Sequence, residues 1–176
     1  MAKESVMLKS IRNGCCALGL NIDSTYTKTN ILLKIYRKVS WGMNERFDDL
    51  NDITYEGCLG DTDNLCYLLN FAPDKELDTF KNRALCAMQT RVLVTLIERA
   101  AVKIRDYPDN GKTYYSIIEL TYLNYFKYTE NEILEQLDLE RSTYFRKKKE
   151  ATMLLGYVLF GIILPEQIQM SQKTCD

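Results

Sequence analysis

Apolar residues recur at helical spacing along most of this chain, and few segments alternate as a strand would. Val6, Met7, Ile11, Cys15 and Leu18 fall on one face, which predicts an amphipathic helix from Glu4 to Gly19 with the glycine as its stop. Ile31, Leu32, Ile35 and Val39 predict a second helix from Thr29 to Trp41. The rhythm is lost over 42–60, where Gly42, Gly57 and Gly60 stand among Asp and Asn, as in a loop. Asp61 or Thr62 is placed to cap a short helix through Leu65, Leu68 and Leu69 that stops before Pro73. The longest periodic segment, Asp74 to Tyr107, carries the stripe Leu85, Met88, Val92, Leu96, Ala100 and Ile104, widened by Leu93, Ile97 and Ala101. An arc this broad predicts a central core helix, with a dimer interface as the other use.

Pro108-Asp109-Asn110-Gly111 is the strongest break in the pattern. It divides a helical region at 1–107 from a C-terminal module at 111–164 and a tail at 165–176. The module reads as Tyr114–Asn124, Thr129–Leu137 and a helix from Arg141 onward. The expected fold is therefore all-α, an N-terminal helical region followed by a C-terminal tri-helical helix-turn-helix module. The proportion of apolar residues, 46%, with only three prolines and eight glycines in 176 residues, fits a helical globular chain.

Composition then removes several classes of function. Histidine is absent, which eliminates the commonest general base at neutral pH and any mixed Cys/His zinc site. The six cysteines contain no C-x-x-C, so reduced thiols are expected rather than a disulfide or metal framework. No Gly-rich phosphate loop or nucleophile elbow is present, and the expectation is a non-enzymatic chain without cofactor or metal. The first residues are too charged for a secretory signal, and the apolar run Met153–Leu164 is too short to span a bilayer. A cytoplasmic protein without membrane attachment is the expectation.

A net charge of −1 hides strong segregation. Residues 1–40 carry +5, residues 41–80 carry −8, residues 111–140 carry −4 and residues 141–176 carry +3. Local potential, not the total, steers a polyanion at physiological salt. The acidic 45–78 stretch is open to three uses: a solvated face, a contact for a basic partner, or a brake on non-specific DNA binding.

The basic end is the part with a recognisable arrangement. Thr129 followed by Glu132 is a capping box that opens a short helix with Ile133, Leu134 and Leu137 inward. Asp138-Leu139-Glu140 leaves only three residues before the next helix, the spacing of a DNA-binding helix-turn-helix. Asp138 tolerates left-handed backbone better than most residues, and Leu139 is expected to plug the angle between the helices. In the next helix Tyr144, Ala151, Leu155 and Val158 form an inward stripe, while Arg141, Ser142, Thr143, Arg146, Lys147 and Lys149 are presented outward with Lys148 between the two faces. Ser142 and Arg146 share one face and suit base edges in a major groove. Thr143, Lys147 and Lys149 suit phosphates.

The run from Gly111 to Gly161, with Leu137-Asp138-Leu139, Ser142 to Ala151 and Leu154-Leu155-Gly156, resembles phage late-gene transcriptional regulators of the ArpU/RinA type, which are similar to region 4 of sigma factors. The resemblance implies an all-helical phage or prophage regulator that binds double-stranded promoter DNA and contacts RNA polymerase. It places Ser142 and Arg146 at bases and Thr143 and Lys147 at backbone. Asp138 departs from the usual glycine of the turn, and Glu140 from the usual Ser or Thr at the recognition-helix cap. Residues 1–107 carry no such resemblance. Two other readings remain at this stage: an accessory protein for phage DNA packaging or replication, and a helical adaptor docking on polymerase or another protein through Tyr115, Tyr122, Tyr125, Phe126 and Tyr128. A homodimer, through the 74–107 segment or the Met153–Leu164 tail, fits the small surface one module buries.

Overall fold

Ser5 opens the first helix, its hydroxyl accepting the Leu8 amide at 3.2 Å, and Gly19 closes it in left-handed backbone (φ 69°). This helix, α1 (Val6–Ala17), begins the computed structural model's description of residues 5–45, 61–71, 77–89 and 91–173, among which the backbone forms helices and no strand. The chain is all-α within those residues. The elements that follow are α2 (Ile22–Glu45), α3 (Asp61–Asn70), α4 (Leu77–Gln89), α5 (Val92–Arg105), α6 (Gly111–Ile118), α7 (Glu130–Leu137), α8 (Arg141–Val158) and α9 (Leu164–Lys173). A π-helical turn at Glu119–Leu123 extends α6, and another at Leu159–Ile163 joins α8 to α9.

Three elements differ from the sequence expectation. Helix α2 begins at Ile22 rather than Thr29, with Asn21 Oδ1 accepting the Ser24 amide at 2.9 Å, and runs on to Glu45. Its early inward positions are polar, Thr25, Lys28 and Thr29, all buried, so an apolar rhythm could not reveal them. The 42–60 loop is helical over 42–45, and 46–60 lie outside the described residues, as does most of the acidic 45–78 stretch. The single helix expected over 74–107 is two, α4 and α5, separated at Arg91, whose φ of 65° is left-handed and cannot continue a helix. Both halves bury their apolar stripes in one core, which is why the periodicity runs through the break.

That core contains Leu32, Leu33 and Tyr36 of α2, Leu65 and Leu68 of α3, Phe80 and Met88 of α4, Leu96 and Ile104 of α5, and the C-terminal half of α8. From Glu150 to Leu155 every residue of α8 is buried. Gly156 lets α2 approach: a Cβ there would strike Thr29 Oγ1 and lie 2.9 Å from Thr25 Cγ2. Gly111 does the same between α6 and α5, where a Cβ would stand 2.6 Å from the Ile104 carbonyl oxygen. The Pro108–Gly111 break is thus a tight corner, with Asn110 in left-handed backbone, and the regions on its two sides share this core. Arg37 of α2 ties them further, donating to the carbonyls of Thr121 at 2.6 Å and Asn124 at 3.2 Å.

The helical run Arg141–Lys173 is long and apolar enough to cross a membrane by length and composition, and 67% of its apolar window is buried against the rest of the chain. The Met153–Leu164 stretch is the middle of this run and belongs to the core, apart from the half-buried Tyr157, Gly161 and Ile162.

Lys28 is the one buried cation among the described residues, 3% exposed, and burial lowers its ammonium to about 8. The sign of its linkage follows. An unfolded lysine stays protonated to about 10.5, so between about 8 and 10.5 the unfolded state binds more protons and stability rises with pH, by at most about 1.4 kcal/mol per unit. Cys15, raised by burial and by Cys16, opposes this from about 9, and the buried tyrosines oppose it from about 10. A comparison of wild type with Lys28→Met cancels those terms. Urea midpoints are expected to move in the wild type's favour between pH 7.5 and 9.5; a constant gap would contradict a depressed Lys28.

Candidate nucleic-acid interface

The local chemistry at the start of α7 is a complete capping box. The Glu132 amide donates to Thr129 Oγ1 at 3.4 Å, and Glu132 Oε2 accepts the Thr129 amide at 2.6 Å and its hydroxyl at 2.8 Å. Those bonds, the amide first, hold the Glu132 carboxyl below its usual range. Thr129→Ala is expected to cost about 1 kcal/mol in denaturant unfolding at neutral pH. Because a depressed carboxylate contributes only while ionised, the cost should shrink as pH falls through the acid range. An unchanged cost at low pH would mean the glutamate adds nothing.

At the other end of α7, Asp138 takes left-handed backbone (φ 49°, ψ 50°). Its amide reaches the Glu135 carbonyl at 3.3 Å and the Leu139 amide reaches that of Leu134 at 3.1 Å, which is a Schellman closure made without glycine. Leu139 turns inward to a small second core formed by Ile117 of α6, Ile133 of α7 and Tyr144 of α8, with Leu120, Tyr128, Leu134 and Leu137 around it. This core braces α7 against α6 and the first half of α8. Tyr144 also shares a 3.1 Å hydrogen bond with Thr121, which anchors α8 to the π-helical turn.

The first half of α8 stands clear of the main core. Ser142, Arg146 and Lys149 are exposed and lie along one strip, with exposed Phe145 beside them. Arg141 is exposed and engaged: its Nε donates to Glu130 Oε1 at 2.9 Å and its guanidinium lies 5.8 Å from the Phe145 ring. That pair sets the N-termini of α7 and α8 side by side. Thr143 and Lys147 are not fully outward as expected but half-buried at the flank, because α6 packs there. Lys147 Nζ donates to Asn110 Oδ1 at 3.1 Å and sits 5.5 Å from the Tyr114 ring. Lys148 is intermediate, over the rings of Tyr122 and Tyr144. The inward residues Tyr144, Ala151, Leu155 and Val158 are all buried.

Two features were not read from the sequence. Glu150, the one anion of the basic run, is buried and accepts from the Tyr114 hydroxyl at 2.9 Å; burial first and then this glutamate raise the Tyr114 phenol. Its charge is therefore withdrawn from the exposed strip. Phe145 breaks the polar face, and the tyrosine before it, at the inward position, hid this in the pattern. Of the five aromatics read as a docking cluster, Tyr115, Tyr122 and Tyr128 are half-buried against the two cores, whereas Tyr125 and Phe126 are exposed and packed edge to face at 5.3 Å. The neighbouring surface is acidic, with Glu132 and Glu135 of α7 and Asp138 and Glu140 of the turn after it exposed. Glu140 holds the cap position of α8 without a side-chain capping bond.

Among the described residues no group of three or more His, Cys, Asp or Glu is placed to hold a metal, and Cys15, Cys16, Cys66 and Cys86 are reduced. Cys58 and Cys175 lie outside the described residues. In comparison with known proteins, the chain matches no family model, no curated sequence and no solved structure.

Proposed function

We propose that this chain is a sequence-specific double-stranded DNA-binding protein that reads DNA with α8, acting as a phage or prophage transcriptional regulator without enzymatic activity. The observation that supports this best is the division of α8 along its length. Its second half is buried and immobilises the helix, while its first half projects a cationic strip braced by α7 at a three-residue turn. A helix about 10–12 Å across fits a major groove about 12 Å wide, and the projecting residues Arg141 to Lys149 give it about 13 Å of length to lay there. Ser142 and Arg146 read base edges. Arg141, Lys147 and Lys149 set register on phosphates, and Thr143 supports them from the flank. The likeness to ArpU/RinA-type regulators supplies the regulatory part of this reading. Acidic α7 limits non-specific affinity, since Glu130 and Glu140 stand beside the strip and repel phosphate.

The test is selection of genomic fragments by the purified full chain, followed by affinity on the selected site across salt concentrations. A recovered consensus and a log–log slope steepening by about 0.9 for each phosphate neutralised are expected. No enrichment at low salt would end the proposal. One observation favours a second reading, an adaptor docking on RNA polymerase or another protein: the exposed Tyr125–Phe126 pair beside the acidic face of α7. Under that reading, Phe126→Ala abolishes partner capture and leaves DNA selection unchanged.

A further inference from the structure

Away from the basic strip, the turn between α1 and α2, the end of α3 and the π-helical turn after α8 line a cleft of about 870 Å³ that is open to solvent on one side. That is ample for a small organic ligand. Lys28 lines it. Its Nζ donates to the Leu69 carbonyl at 3.0 Å and the Leu68 carbonyl at 3.3 Å and lies 4.5 Å from the centre of the Phe160 ring. Two of its three N–H donors are thereby used, and among the described residues no carboxylate pairs with it. Both carbonyls belong to the last turn of α3, whose negative end suits a cation, and one N–H donor of the buried ammonium is left over for a ligand in the cleft.

The walls indicate what kind of ligand that is. Leu20, Leu69, Phe71 and Phe160 give the cleft an apolar side, and Ser24 and Thr25 stand near Lys28 on the polar side. One cation matches one negative charge. Asp23, exposed on the lining, disfavours a dianion. We propose that this cleft binds a small monocarboxylate with an apolar body, the carboxylate on Lys28 Nζ and the hydrocarbon along Phe71 and Phe160. The site does not depend on the DNA-binding reading.

Titration calorimetry of the full chain with octanoate tests this, with octanol and inorganic phosphate as comparison probes. Stoichiometric octanoate binding is expected, with octanol and phosphate each binding about tenfold or more weakly. Lys28→Met, checked as folded by circular dichroism because it also frees the Leu68 and Leu69 carbonyls, should lose about tenfold or more in octanoate affinity. Leu20→Glu keeps the lysine and sets a second negative charge on the wall, so it should weaken octanoate as well. Absence of octanoate binding to wild type, equal binding of octanoate and phosphate, or affinity unchanged in both variants would each overturn the proposal.

Discussion

Replacing Tyr144 by alanine is expected to remove about 3–5 kcal/mol of stability, the range for truncating a large buried aromatic. The residue is 2% exposed and is the only α8 member of the small core it shares with Ile117 and Ile133. The two buried side chains that remain, Ile117 and Ile133, cannot close over the void left by a missing ring. The hydrogen bond to Thr121 goes with it. Set against the 5–15 kcal/mol of a typical domain, such a loss should shift the urea midpoint far and free α7 before the main core melts. Tyr144→Phe separates the two contributions, keeping the ring and losing only the hydroxyl bond, at about 1 kcal/mol. Hydrogen exchange of α7 amides reads the local effect directly. A small loss in the alanine variant, with α7 protection unchanged, would mean the turn is held by its own backbone bonds alone.

The parts of the fold legible in the sequence are those set by neighbours in the chain. Thr129 and Glu132 bond each other across three positions, and α7 is closed by the amides of Asp138 and Leu139 on the carbonyls of Glu135 and Leu134, so spacing alone reveals both. The span of α7 and the start of α8 follow from these local signals. What was hidden depends on residues far apart. Thr25, Lys28 and Thr29 look like a solvated face, yet they lie against α3 and α8, where Thr29 meets Gly156 and Lys28 meets the Leu69 carbonyl. The break at Arg91 leaves the apolar stripe intact because both helices dock on the same core. In the candidate interface, the outward strip of Ser142, Arg146 and Lys149 is legible from helical phase. The position of Lys147 is not, because Asn110, thirty-seven residues earlier, accepts from it. Nor is the burial of Glu150, which depends on Tyr114.

Arg146→Ala is expected to weaken binding to the selected DNA site by about 1–3 kcal/mol and to relax preference at one base position. Arg146 projects from the middle of the exposed strip, one turn beyond Ser142, where a guanidinium has the reach and the paired donors that a guanine edge accepts. Lys149→Ala, on the same strip but one turn nearer the main core, should instead weaken all sequences about equally and reduce the salt slope by about one. Lys147 tests a different point. Its ammonium is already bonded to Asn110, so using it on phosphate means exchanging one partner for another, and its removal should cost less than that of Lys149. Competition binding on the consensus and on single-base variants of it measures all three. If Arg146→Ala loses affinity equally on every variant, the arginine is a phosphate contact and base reading must lie with Ser142 alone. If Lys147→Ala costs more than Lys149→Ala, the DNA approaches from the α6 side of the helix rather than along the strip.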